Sequence, residues 1–97
     1  MTRHWTLEDI RWQDFDPAKV DPEILRAVKA AAMVEFNAPD YVTYLCNVFS
    51  DRPDIKQTIH QWGAEEVQHG QALARWAELA DPDFSFDEAF ARFRAGY

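Results

Sequence analysis

WGAEEVQHGQAL, residues 62–73, is the stretch on which the reading of this chain turns. Around it runs a stripe of Ile55, Ile59, Trp62, Glu66, His69, Leu73, Trp76 and Ala80, with spacings alternating between four and three. That period is a helix face that packs on other helices. The stripe is apolar at both ends and polar only in the middle, at Glu66 and His69. These two are three apart, so they project from one side of the helix.

The preceding segment carries a second stripe of Val28, Ala31, Glu35, Ala38, Val42, Leu45 and Phe49, again at three-four spacing. Its one charged member is Glu35. Between the stripes, Ser50-Asp51-Arg52-Pro53-Asp54 reads as a tight break with a capping residue beside a proline. If the two helices fold back on each other there, Glu35 lies 16 residues before Asp51, and Glu66 and His69 lie 15 and 18 after it. At about 1.5 Å of rise per residue, all three sit roughly 22–27 Å above the turn. The three polar interruptions therefore meet at one level.

An ionised glutamate in an apolar seam costs several kcal/mol unless it is compensated, and two at one level also repel. A divalent metal removes both penalties, because it adds positive charge and accepts oxygen and imidazole donors together. The Glu/Glu/His set suits iron, with manganese or zinc as alternatives, better than calcium. The competing reading is a buried, hydrogen-bonded Glu–His pair with Glu35 reaching out to solvent.

The rest of the chain frames this hairpin. Residues 1–21 are an aromatic arm (Trp5, Leu7, Ile10, Trp12, Phe15), with a short helix expected over 6–12 and the arm packed over the bundle. Asp21-Pro22-Glu23 is a helix start, combining a cap, a proline suited to the first turn and an acid at the positive end of the dipole. One long helix is expected over 22–49 and a second over 53–80. Pro39 removes the amide that would bond to the Glu35 carbonyl, so a kink is expected beside the site. Phase continuity from Val28 to Phe49 favours one bent helix over a break. Ser85-Phe86-Asp87-Glu88 has capping-box spacing and opens a short helix over 85–95, with Gly96 as its terminator. Gly63, Val67, Gly70, Ala74 and Ala77 form a further, mostly small stripe that lets a neighbouring helix approach closely.

Ninety-seven residues make one domain with a limited core, and 14% aromatic content is a heavy load for it, so some of that surface is expected to meet a partner. The net charge of -7 disfavours nucleic acid or an anionic membrane as the main ligand. A single cysteine, Cys46, excludes an intrachain disulfide. No signal-peptide pattern or membrane-length apolar run is present, which points to a cytoplasmic protein. Glu65 faces the polar side of its helix and reads as solvated. His4 and His60 have no acidic partner at ligand spacing. Cys46 reads as an inert buried thiol, and Trp62 and Trp76 as core.

Trp62–Leu73 resembles the W-x-A-E-E-x-x-H-G-x-x-L helix of the ferritin-like di-iron carboxylate superfamily, in the manner of the acyl-carrier-protein desaturase-like branch and its bacterial relatives. Val34-Glu35-Phe36-Asn37-Ala38-Pro39-Asp40-Tyr41 is similar to the first ligand helix of that branch. The resemblance covers residues 22–80. It implies an all-α fold, an antiparallel helical hairpin forming half of a four-helix bundle. It implies that Glu35 is a terminal ligand to one iron, that Glu66 bridges two irons, and that His69 binds the same iron as Glu35. The function implied is a non-haem di-iron oxidoreductase activating dioxygen. Iron oxidation and storage is one alternative, and a metal-free helical interaction module another. Glu-x-x-His occurs once, since neither Glu78 nor Glu88 is followed by His at the third position. The remaining ligands are therefore expected from a missing second half or from a second copy in a homodimer, the arrangement of ferritin-like proteins stored in encapsulin shells.

Overall fold

The structure is a computed structural model and describes residues 5–96. Every regular element among them is helical. Three single-turn 3-10 helices (Leu7–Asp9, Trp12–Asp14, Pro17–Lys19) are followed by α1 (Pro22–Phe36), α2 (Ala38–Val48), α3 (Pro53–Ala80) and α4 (Phe86–Ala95). None of the described helices is long and apolar enough to cross a membrane.

Local chemistry accounts for most of the boundaries. The Asp21 carboxylate accepts the amides of Glu23 (2.8 Å) and Ile24 (3.3 Å), capping α1, with Pro22 in its first turn. α3 opens on Pro53. Its capping position is Arg52, whose side chain makes no cap hydrogen bond and instead pairs with Asp54 at 3.2 Å, so Asp51 does not cap it. At α4 the Ser85 hydroxyl accepts the Glu88 amide at 3.4 Å. The Phe86 amide is taken by the Glu78 carboxylate of α3 at 3.0 Å. An acid from another helix thus serves the positive end of α4.

The helix expected over 22–49 is two helices. They are separated by the single residue Asn37, at φ -82° and ψ 10°. Pro39 offers no amide to the Glu35 carbonyl, so the ladder lapses at that point. A wholly buried side chain then stabilises the lapse. Asn37 has no exposed surface, and its Oδ1 accepts from Arg94 of α4, which also pairs with Asp40 at 2.7 Å. The hydrophobic phase could not distinguish a bend from a break, because one non-helical residue barely rotates the stripe.

α1 and α2 pack along α3. Lys29 meets Asp81, Phe36 lies on Gly70, Val42 on Gly63, and Cys46 on His60. Residue numbers fall on one side as they rise on the other, so the paired segments run in opposite directions. The face α3 turns to them is the small stripe, with Gly63, Gly70, Ala74 and Ala77 all buried. A Cβ on Gly70 would lie 2.6 Å from the Phe36 backbone nitrogen and 2.9 Å from its Cα. α4 closes one side of this contact. Phe86 and Phe90 each meet Phe36 edge-on, at 5.3 and 5.0 Å between ring centroids, over Ala32 and Ala74. At the far end, Lys29 pairs with Asp81 at 2.7 Å and sits over the Phe84 ring at 4.7 Å. The Lys29 ammonium holds the Asp81 carboxyl below its ordinary value. The arm lies along α3, with Phe15 edge-on to Trp76 and Arg75 over the Trp12 ring.

The molecule is a slab of 51 × 40 × 19 Å. A helix with its side chains is about 10–12 Å across, so the slab is less than two helices thick. By helical phase, the stripe holding Glu66 and His69 adjoins the small packing stripe on α3, and in the stripe holding Glu35, Ala38 is buried and Val42 packs on Gly63. Cover along them is uneven: Ile59, Ala38 and Val42 are buried, Glu35, Glu66 and His69 are half-buried, and Trp62 is 40% exposed. Trp62, expected in the core, is therefore at the surface.

Gly70→Ala should destabilise the fold although alanine is the better helix former. The propensity gain of about 1 kcal/mol is opposed by an overpacking cost of about 1–3 kcal/mol or more, because the atom met is backbone and cannot swing aside. Urea unfolding reads the sign. Arg94→Ala should cost about 1–3 kcal/mol by stranding the buried Asn37 oxygen, and an unchanged midpoint would show that the latch carries no stability.

Candidate metal centre

Glu35 stands in the last turn of α1, two residues before the break. Glu66 and His69 stand one turn apart in the middle of α3. One ligand atom from each of the three lies within 4.8 Å of the other two. Two donors on one ion, each at about 2.2 Å, are at most about 4.4 Å apart. The three side chains are thus gathered to within a small rotamer adjustment of ligating distance. They form the one group of three metal-ligating side chains found among the described residues.

A tight helix contact at this level accounts for the convergence. Gly70 follows His69, and Phe36 follows Glu35. The backbone of α1 can approach α3 at this level only because residue 70 lacks a side chain. The small stripe therefore sets the distance between helices, and the neighbouring seam presents the donors.

One carboxylate oxygen here is left unserved. The Glu35 Oε2 atom is buried and has no hydrogen-bond partner. The Glu66 carboxylate and His69 Nδ1 stand 3.7 Å apart, beyond the 3.2 Å reach of a good hydrogen bond. The competing reading asks for a hydrogen-bonded Glu–His pair and a Glu35 reaching solvent; here the pair is 3.7 Å apart and Glu35, half-buried, has one oxygen shut off from solvent. A buried carboxylate oxygen without a donor is costly unless a cation or a further donor serves it. The chemistry of the three donors and this orphaned oxygen both fit a divalent transition metal.

The surroundings add features that sequence reasoning did not assign. The indole of Trp5 lies parallel to the His69 imidazole, 4° between planes and 5.9 Å between centroids. The Trp5 carbonyl accepts from the Gln68 side-chain amide. No periodicity links residue 5 to residue 69, so no sequence signal could have paired them. Asn37 and its latch to Arg94 were also missed, although a buried amide just before Pro39 is the kind of residue that holds a helix break. The Asn37 Nδ2 atom is buried and without a partner.

The other candidates lie apart from the cluster. Glu65 is exposed, beside a hollow of about 290 Å³ that it lines with Trp5, Gln68 and His69. His60 is exposed, and its Nε2 stands 3.7 Å from the sulfur of the half-buried Cys46, bridging α2 and α3. Trp76 is half-buried against Phe15. His4 lies outside the described residues. Comparison with protein-family models, with curated proteins and with solved structures returns no match for this chain, so its chemistry is read from its own residues.

Proposed function

We propose that this chain is a ferritin-like metal-binding protein that holds iron through Glu35, Glu66 and His69 as half of a two-metal carboxylate site. The function proposed with it is that of a non-haem di-iron oxidoreductase. The observation that carries the metal reading is that Glu35, which holds a buried, unpartnered oxygen, has a ligand atom within 4.8 Å of those of Glu66 and His69. Three donors do not close a two-metal site, which takes a further Glu and Glu-x-x-His from two facing helices. The part-covered seams leave a surface where such helices would fit. On this reading the helical pair is half of a four-helix bundle and a second copy supplies the other half.

Surface area supports association. A folded monomer of 11.3 kDa exposes about 5,700 Å² by size scaling, whereas this chain exposes 7026 Å². The difference of about 1,300 Å² exceeds the roughly 800 Å² per partner of a standard interface. Ile24 and Trp62 are apolar anchors of the kind such interfaces use.

Within the site each residue has a separate task. Glu35, on the shorter helix, presents one oxygen from a buried position. Glu66, its side chain 23% exposed, presents a carboxylate between Glu35 and His69 and would serve as the ligand shared by two metals. His69 contributes a neutral nitrogen, which limits the negative charge gathered at the seam. Iron bound there would supply the redox chemistry toward dioxygen. The exposed apolar seam also suits a metal-free interaction module, the second reading.

Metal analysis separates the two. The purified protein, loaded anaerobically with Fe(II), should retain about one iron per chain. Glu66→Ala and His69→Ala should each abolish that stoichiometry. A wild-type chain that takes up no Fe, Mn or Zn would leave only the interaction module. In sedimentation the chain should run as a dimer, and a well-folded monomer that binds iron would overturn the symmetric completion of the site.

A further inference from the structure

We infer that Trp5 is a positioning residue for the His69 imidazole, and that the N-terminal arm is a strap holding this ring in its metal-facing orientation. The inference rests on the metal reading above and assigns to the arm a part in that site.

His69 needs such a support. Its side chain is 41% exposed. The Glu66 carboxylate is too distant to fix the ring by a hydrogen bond. The second torsion of a histidine has a broad minimum, so an exposed imidazole turns freely unless something holds it. Metal-ligating histidines are usually held through their other ring nitrogen by a carboxylate or carbonyl. Here the contact is on the face of the ring. The parallel indole of Trp5 restricts rotation about that second torsion while leaving the Nδ1 edge directed at Glu66.

The arm is built to keep the indole in place. Next to the stack, Gln68 donates to the Trp5 carbonyl, tying the backbone of the arm to the residue before the ligand. The chain then turns at once, with the Thr6 amide donating to the Asp9 carboxylate at 2.8 Å. Further along, the Trp12 indole donates to the Leu7 carbonyl at 2.9 Å, and Arg75 covers the Trp12 ring. Phe15 closes on Trp76. The arm is thus fastened to α3 over about two turns, from Gln68 to Trp76. Docking of the arm and ligation by His69 share one ring, so each strengthens the other, and the coupling is reciprocal.

Co(II) is the probe, since its visible absorption reports imidazole and carboxylate ligation directly. Trp5→Ala should weaken Co(II) binding by about ten- to a hundredfold, the usual cost of losing a residue that orients a ligand. Trp5→Phe keeps a stacking face and should recover most of the loss. In the metal-free protein, proton NMR should find the His69 ring protons shifted upfield by the indole, and Trp5→Ala should return them to ordinary positions. Gln68→Ala removes the tie at the Trp5 carbonyl and deletes no ring, so it should weaken binding in the same direction and keeps the test decisive if Trp5→Ala loses helix content. Wild-type affinity in both Trp5→Ala and Gln68→Ala overturns the inference and leaves the metal reading standing. A wild-type chain that binds no Co(II) overturns both.

Discussion

The contact between Gly70 and the backbone of Phe36 is the constraint on which the rest depends. Here the backbone of α1 comes so near α3 that a Cβ at position 70 would lie 2.6 Å from the Phe36 nitrogen, so the contact requires a residue without a side chain. Each of its partners adjoins a member of the polar cluster in sequence. Any change that separates the helices here also separates Glu35 from His69. Packing and site geometry are therefore one variable, and helix interiors are stiff enough to transmit such a change. The Phe36, Phe86 and Phe90 rings complete the contact by covering it from the α4 side.

The second organising element is the break at Asn37. A helix that loses one backbone bond has a choice between bending and stopping, and the outcome depends on what satisfies the freed groups. Arg94 satisfies the Asn37 oxygen and at the same time engages Asp40 in the next helix. The last element of the chain thereby sets the geometry two residues from Glu35. α4 has a structural task at the site although it contributes no ligand.

The slab is also asymmetric in a way that bears on function. One side carries the aromatic cluster and α4. The other carries the two interrupted seams, where the apolar ends are part-covered and the polar centre holds an oxygen without a partner. Covering that side with helices would bury the apolar ends and raise the cost of the uncompensated charge together. On the proposed reading, a cation at the centre would offset that cost.

By itself, the sequence determined the helical class, the extents of α3 and α4, and the level at which Glu35, Glu66 and His69 meet. These follow from periodicity, capping residues and rise per residue, all of which are local. The small stripe was equally legible, since glycine and alanine at three-four spacing have a packing consequence wherever they face. Only the tertiary structure decided that the helix stops at Asn37, that Trp62 stands at the surface, that Cys46 meets His60, and that Trp5 stacks on His69. Period fixes the angle of a residue around its own helix. It carries no information about what covers that angle, because the covering groups come from segments such as the arm and α4, which are distant in the chain and are brought there by side-chain contacts.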